Sequence, residues 1–250
     1  KSTLLKLTLL KLTYENGAMS MFIGRERELA TLEKLYANGG FQMPVIYGRR
    51  RVGKTALISE FVKDKPTVFF TAVEADVRTN LRNLSMGIAL ITNPNEDPQG
   101  APIFSSLSAA FEAVFRLARD RPIVLVIDEY PYLAATDKSV SSVLQSLIDA
   151  NKASSHLFLI LCGSSLSFMK EQVLGEKSPL FGRRTAQLEI KPFDFFDALR
   201  FFPRRSPVDV ANIYGMVGGT PLYLEQFPQV GTLRDDLSET FLDTSSLLFE

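Results

Sequence analysis

Short apolar runs alternate along the chain with segments whose apolar positions recur at helical spacing. Uninterrupted runs predict buried strands at 43–48, 67–74, 122–130 and 156–165, and an alternating fifth strand is predicted at 185–190. The intervening segments predict helices at 24–40, 54–64, 76–92, 104–120 and 139–150. Strands that are apolar throughout and separated by helices indicate a parallel sheet covered on both faces, which is an α/β fold.

The pattern changes near Pro192, after which apolar positions predict helices only, at 193–202, 206–219 and 220–227. We therefore expect an α/β core over 21–191 and a small helical lid domain over 192–250. The first residues repeat the pentad LLKLT at 4–8 and 9–13, and lysines interrupt each apolar stretch. We expect residues 1–20 to be a non-native or disordered extension, because such a pattern matches neither a signal peptide nor one helical face.

Composition narrows the class of protein. The chain is 46% hydrophobic, and its 28 basic and 28 acidic residues give no net charge, so nothing global favours a nucleic-acid or membrane surface. The single cysteine, Cys162, and the single histidine, His156, cannot build a zinc site or a disulfide framework. A lone buried thiol and the absence of a bilayer-length apolar run favour a cytoplasmic protein.

The segment Gly48–Thr55, read as GRRRVGKT, fits the pattern G-x-x-x-x-G-K-[ST] between a predicted strand and a predicted helix. Its glycines let main-chain N–H groups turn inward, and the start of the helix adds further free N–H groups. Lys54 is then expected to reach the β- and γ-phosphates of a nucleotide, and Thr55 to bind Mg²⁺. The bound stretch is predicted to comprise Gly48, Arg49, Arg50, Arg51, Val52, Gly53, Lys54, Thr55 and Ala56.

A carboxylate pair follows the third predicted strand. IVLVIDEY is apolar until Asp128 and Glu129, which therefore emerge at the carboxyl edge of the sheet, where α/β folds bind ligands. Asp128 is expected to hold Mg²⁺ through water, and Glu129 to polarise the attacking water as a general base.

Two further segments have alternative interpretations. Ser164 and Ser165 end the fourth predicted strand, where a serine could contact the γ-phosphate region or cap the next helix. Arg183 and Arg184 precede the fifth strand, where they form either a solvated basic turn or a site that senses the γ-phosphate, in cis or from a neighbouring subunit.

Five segments taken in order resemble the archaeal-type ATPase family, which comprises P-loop proteins of the AAA+/STAND class. They are FIGREREL, YGRRRVGKT, LVIDEYPYL, LFGRRT and GGTPLYL, and the resemblance covers residues 21–250. It implies a P-loop NTPase fold, AAA+/ASCE-like, with five parallel strands in the order 5-1-4-3-2 and a helical lid. Relatives usually continue into a winged helix and a nuclease-like domain, so we expect the chain to be truncated and any DNA contact to belong to the missing part.

The resemblance also implies roles for individual residues. Gly48–Thr55 resembles a Walker A loop, Asp128–Glu129 a Walker B pair, and Ser164 a sensor-1 position. Arg183 or Arg184 resembles a sensing or finger arginine. Residues Ile23, Gly24 and Arg25 match the segment near adenine, and Pro221 matches the lid proline near the base.

These features predict a protein that binds ATP or ADP with Mg²⁺ and hydrolyses ATP, coupling the reaction to movement of the lid or of a subunit. ATP is favoured over GTP because NKAS at 151–154 lacks the aspartate of a guanine-reading motif. The alternatives are a slow nucleotide-dependent switch or scaffold, in regulation or defence, and the ATPase module of a DNA-binding protein. A homo-oligomer or a partner protein is compatible with each alternative, and no membrane association is expected.

Overall fold

A computed structural model of the chain describes residues 22–242 and 244–248, so the predicted extension at 1–20 lies outside the described residues. Strands β1 to β5 span Pro44–Tyr47, Thr67–Thr71, Ile123–Asp128, Leu157–Gly163 and Ala186–Glu189. Each neighbouring pair is parallel, and the order across the sheet is β2-β3-β4-β1-β5. This is the predicted order read from the opposite edge, so the predicted fold class is confirmed.

Helices connect the strands and continue after the sheet. Helices α1 to α6 span Glu26–Ala37, Lys54–Val62, Val77–Thr92, Leu107–Leu117, Tyr130–Thr136 and Val140–Asn151. Helix α7, Leu166–Phe168, continues into a π-helical turn at Met169–Val173, and a 3₁₀ turn spans Pro98–Gly100. Helices α8 to α11 span Phe195–Phe201, Pro207–Val217, Pro221–Leu224 and Leu233–Phe241. Among these helices none is both long and apolar enough to cross a membrane.

Burial along the strands follows their place in the sheet. The three inner strands β1, β3 and β4 are buried at every position, which explains their uninterrupted apolar sequences. The edge strands β2 and β5 alternate between more and less covered residues. The alternation of apolar and polar residues in the fifth predicted strand is therefore explained by its position at the edge of the sheet, where one face is open to solvent.

Alternate residues of β3 contact opposite helical layers, because successive side chains of a strand point to opposite faces. Val124 and Val126 belong to the apolar cluster that contains Leu57 and Phe61 of α2. Leu125 and Ile127 belong to the cluster built with α3 to α6. The sheet is thus covered on both faces, and its carboxyl edge is left open for a site.

Helices α8 to α11, named here the helical cluster, have an apolar centre of their own. The buried residues of this centre, which come from the helices and from the segments beside them, are Phe193, Ala198, Phe202, Val210, Ile213, Leu224 and Phe227. The Phe193 N–H donates to the Gly219 carbonyl oxygen at 2.7 Å and ties the start of this region to the segment before α10. A domain boundary at Pro192 remains a prediction.

Some predicted boundaries are wrong at the ends of strands. The predicted strand 122–130 stops at Asp128, because Glu129 takes the left-handed conformation with φ 52° and α5 begins at Tyr130. Pro131 lies in the first turn of α5, where its missing N–H has no effect on helical hydrogen bonding. The predicted strand 67–74 likewise stops at Thr71, and α11 was not predicted.

Candidate nucleotide site

The carboxyl ends of the inner strands meet at one edge of the sheet. Tyr47 at the end of β1 pairs in register with Gly163 at the end of β4, and Ile127 of β3 pairs with Leu161 of the same strand. The loop after β1, the Asp128–Glu129 pair after β3 and Ser164 after β4 therefore lie side by side. The predicted convergence of these three segments is found in the structure.

Sterics dictate the path of the loop between β1 and α2. A Cβ on Gly48 would lie 2.2 Å from the Ile190 carbonyl oxygen, so only glycine fits beside the end of β5. Arg51 and Gly53 take left-handed conformations with φ 70° and 91°, which turn successive main-chain groups inward. Such a loop, followed at once by the N-terminus of α2, is an anion-binding arrangement.

Lys54 crosses this loop from the first position of α2. Its Nζ donates to the carbonyl oxygens of Gly48 at 2.8 Å and Arg49 at 2.9 Å. The residue is only 6% exposed, so the ammonium group is held inside the loop and not in bulk solvent. A cation fixed in this position can bind phosphate oxygens with little further ordering of the side chain.

The Thr55 hydroxyl donates to Asp128 Oδ2 at 3.1 Å and joins the loop to the end of β3. Asp128 Oδ1 accepts the Glu129 main-chain N–H at 3.0 Å, so both carboxylate oxygens have protein donors. Asp128 is 5% exposed. Its neighbour Cys162 is buried in β4, and burial together with the Asp128 charge raises the pKa of that thiol well above its usual value.

Ser164 contacts the Glu129 carboxylate with two groups. Its hydroxyl donates to Glu129 Oε2 at 2.9 Å, and its main-chain N–H donates to the same oxygen at 3.1 Å. Ser165 occupies the N-cap position of α7 but makes no side-chain capping bond. Ser164 thus contacts the Glu129 carboxylate, Ser165 stands at the helix start without capping it, and a γ-phosphate contact of either serine remains a prediction.

Three cavities lie over this edge of the sheet. One of about 530 Å³ lies beside Arg49, Glu129 and Ser164, and the other two share Pro221. The larger of the two that share Pro221 has a volume of about 320 Å³ and is lined by Arg50, Arg51, Gly53, Lys54, Thr55, Ala56, Glu129, Pro221, Leu222 and Glu225. The smaller has a volume of about 110 Å³ and is lined by Phe22, Ile23, Arg25, Val52, Gly53, Ala56, Phe193, Phe201, Pro221 and Glu225. The larger is lined by the charged side chains of Lys54 and Glu129 and by the Thr55 hydroxyl, whereas most of the residues lining the smaller are apolar. Pro221 lines both cavities, and Ile23 and Arg25 line the smaller one; their closeness to a base remains a prediction.

Arg25 connects the smaller cavity to three other parts of the chain. Its Nη2 donates to the carbonyl oxygens of Val52 at 3.1 Å and Lys191 at 2.5 Å, and its guanidinium lies 4.9 Å from the centre of the Phe193 ring. Burial lowers the pKa of Arg25 from its ordinary value, partly offset by Glu28. The side chain thus links the start of α1, the phosphate loop and the helical cluster.

The other predicted arginines lie apart from these cavities or at their rim. Arg183 forms two hydrogen bonds to the Asp149 carboxylate of α6, at 3.0 and 2.5 Å, and the guanidinium lowers the pKa of that carboxyl. Arg184 donates to the Leu174 carbonyl oxygen at 3.1 Å. Neither side chain lines any of the three cavities. Arg50 donates to the Tyr132 hydroxyl at 2.6 Å, and Arg49 is exposed.

Several lining residues were not predicted from the sequence. Glu225, Leu222, Phe193 and Phe201 reach the cavities from the helical cluster, and Tyr132 reaches Arg50 from α5. Leu222 and Tyr132 lie within the segments GGTPLYL and LVIDEYPYL, but no role was predicted for them. Glu225, Phe193 and Phe201 belong to none of the quoted segments and are brought to the site only by tertiary packing. A usable signal was the proximity of Glu225 to Pro221, which places both on one helical turn.

Residues 22–227 match the model of a family described as an ATPase domain found predominantly in Archaea. An uncharacterized protein of Methanocaldococcus jannaschii is 35% identical over 82% of this chain and 44% of its own length. An uncharacterized ATP-binding protein of Pyrococcus abyssi is 26% identical over 88% of this chain and 74% of its own length. The chain therefore spans less than half of the first relative and about three quarters of the second.

A solved structure shares the fold. The Walker-type ATPase of Pyrococcus abyssi superposes with a TM-score of 0.63 at 21% sequence identity, over 84% of this chain and 67% of that chain. At this identity the likeness establishes the common fold.

The close approach at Gly48 predicts a stability difference between two glycines. Gly48→Ala should lower the free energy of unfolding by about 1–3 kcal/mol, because its Cβ would overlap the Ile190 carbonyl oxygen. Gly215→Ala in α9 is the matched control, since nothing lies within 4 Å of its Cβ and alanine favours a helix by about 0.5–1 kcal/mol. Urea unfolding followed by circular dichroism measures both changes. A Gly48→Ala protein as stable as the Gly215→Ala protein would contradict the packing described for the loop.

Proposed function

We propose, since this chain belongs to the family of ATPase domains found predominantly in Archaea, that it binds ATP with Mg²⁺ and hydrolyses the bond to the γ-phosphate. The observation that carries the proposal is the joint placement of Lys54, Thr55 and Asp128 at one edge of the sheet. The ATP-binding relative and the Walker-type ATPase with the same fold support it.

The phosphate-binding part is formed by the loop itself. The main-chain N–H groups between Gly48 and Gly53 and the N-terminus of α2 would supply neutral donors for the β-phosphate. Lys54 supplies a positive charge next to the same oxygens. Binding requires Lys54 to exchange its two carbonyl acceptors for phosphate oxygens, which are stronger acceptors because they are charged.

The residues present fit a magnesium ion. Thr55 and Asp128 offer hydroxyl and carboxylate oxygens 3.1 Å apart, and hard oxygen ligands in small number are what Mg²⁺ uses when substrate phosphates and water complete its shell. Within the described residues no group of three or more His, Cys, Asp and Glu side chains could hold a metal by itself. When bound with ATP, Mg²⁺ neutralises charge on the β- and γ-phosphate oxygens.

Glu129 is the residue proposed to orient and deprotonate the attacking water. Its carboxylate lines the larger cavity, and the two donors from Ser164 fix one of its oxygens. The second oxygen is then left to accept a hydrogen bond from water. Ser164 acts through Glu129 as a positioning residue in this scheme.

Coupling to movement is proposed to run through the helical cluster. Pro221, Leu222 and Glu225 line the same cavity as Lys54, so a nucleotide bound there would contact both the sheet and the cluster. Arg25 already bridges the loop and Phe193 across the smaller cavity. A ligand that contacts both parts favours their closed arrangement by its differential binding energy.

A slow nucleotide-dependent switch is the second candidate, favoured by one specific observation. Arg183 and Arg184 are engaged with Asp149 and with the Leu174 carbonyl, away from the three cavities. An arginine that neutralises transition-state charge accelerates phosphoryl transfer by about 10³–10⁵. If Arg50 and Arg51, which line the larger cavity, do not supply this charge, the site would hold ATP or ADP for long periods and act through the conformation that it stabilises.

Lys54→Ala should weaken binding of ADP or ATP by about 10- to 100-fold, because a charged hydrogen bond to phosphate contributes about 1.5–3 kcal/mol. Isothermal titration calorimetry with Mg²⁺ and ADP measures the change. The exposed Lys177 provides the matched control, and Lys177→Ala should bind as the wild type does. Equal affinities of the Lys54→Ala and wild-type proteins would remove the proposed phosphate site.

Glu129→Gln should lower kcat by about 10²–10⁴ while leaving nucleotide affinity within a few-fold, because the amide cannot accept the proton of water. Steady-state phosphate release and equilibrium binding measured on the same protein separate the two effects. A slow wild-type rate that this substitution does not change would favour the switch over the ATPase.

A further inference from the structure

The two cavities that Pro221 lines share four lining residues, Gly53, Ala56, Pro221 and Glu225. Gly53, Ala56 and Pro221 can contribute only main-chain atoms or apolar side-chain atoms to the cavity walls. Glu225 alone brings a polar side chain to the junction of the cavities.

The chemistry of the cavities indicates which part of a nucleotide lies at this junction. The smaller cavity, with Phe22, Ile23 and Phe201, suits a flat base, and the larger, with Lys54 and Thr55, suits phosphates. The ribose joins base to phosphates in every nucleotide, so it must occupy the space between the two cavities. This step rests on the function proposed above.

The Glu225 carboxylate is unpartnered at this position. Its main-chain N–H donates to the Pro221 carbonyl oxygen at 2.9 Å, which fixes the residue at the end of α10. Within the described part of the chain the side chain has no hydrogen bond or ion pair. Glu225 is exposed at the mouth of the cavities, and the partial burial of its carboxyl raises its pKa, because no protein donor replaces the lost hydration.

An ionised carboxylate only accepts hydrogen bonds, so its ligand must bring donors. Phosphate oxygens would repel it, whereas the vicinal hydroxyls of a ribose offer two donors with the spacing of a carboxylate. Acidic side chains bind ribose hydroxyls in this way in dinucleotide-binding folds.

We propose that Glu225 is the ribose-recognition residue of this site and selects ribonucleotides over 2′-deoxyribonucleotides. Its carboxylate accepts hydrogen bonds from the 2′- and 3′-hydroxyls, and the residue belongs to the helical cluster, not to the sheet. A single nucleotide would therefore contact the helical cluster through its ribose and the phosphate loop through its phosphates.

The test compares Mg²⁺ complexes of ADP and 2′-deoxy-ADP by isothermal titration calorimetry, which avoids turnover. Wild-type protein should bind ADP about tenfold more tightly than 2′-deoxy-ADP, the size of effect of one hydrogen bond to a charged group. In Glu225→Ala this ratio should fall towards one, chiefly through weaker binding of ADP. Glu225→Gln, which keeps an acceptor oxygen and the side-chain shape, should give an intermediate ratio.

Glu112→Ala is the matched control, because it removes an exposed glutamate from α4 that lines neither cavity, and its ratio should equal that of the wild type. An unchanged ratio in Glu225→Ala would overturn the proposal. Inosine diphosphate, which differs from ADP only in the base, gives a further comparison. If Glu225→Ala weakened ADP and 2′-deoxy-ADP equally and no longer preferred ADP to inosine diphosphate, the carboxylate would contact the base and the proposal would also fail. A wild-type protein that binds neither nucleotide would instead refute the nucleotide site itself.

Discussion

The hydrogen bond from Thr55 to Asp128 joins two parts of the chain that lie 73 residues apart, and the site depends on it. It forms because β1 and β3 both deliver their carboxyl ends to one edge of a parallel sheet, with β4 between them. The fully buried inner strands fix that geometry from both faces. The positions of the phosphate loop, Asp128 and Glu129 therefore follow from the packing of the core.

The helical cluster completes the site from the other side. Pro221 and Glu225 close the cavities over the loop, and Arg25 binds the Val52 carbonyl beneath them. A ligand between these parts would be held by main-chain donors from the sheet edge and by side chains from the cluster. Because such a ligand would contact both the sheet edge and the helical cluster, its binding could change the position of the cluster directly, whether hydrolysis is fast or slow.

The sequence could predict what local rules decide. The alternation of strands and helices, the turn at Gly48 and the exit of Asp128 from an apolar strand follow from periodicity, glycine chemistry and parallel topology. The order of the strands was implied by the family resemblance. Contacts that depend on side-chain rotamers and on distant packing could not be predicted, among them Ser164 with Glu129 and Arg183 with Asp149. Glu225 was missed because its local signal is limited to its position one helical turn after Pro221, and its approach to the cavities depends on tertiary packing.

The shared metal site of Thr55 and Asp128 is the central claim, and Mn²⁺ substituted for Mg²⁺ tests it directly by electron paramagnetic resonance. The account predicts that the protein retains Mn²⁺ only together with ADP or ATP, with ³¹P coupling from the phosphates, and that Thr55→Val abolishes this retention. Two results would contradict the account. One is equal retention of Mn²⁺ with and without nucleotide, and the other is retention of Mn²⁺ by the nucleotide complex of Thr55→Val to the same extent as by that of the wild type.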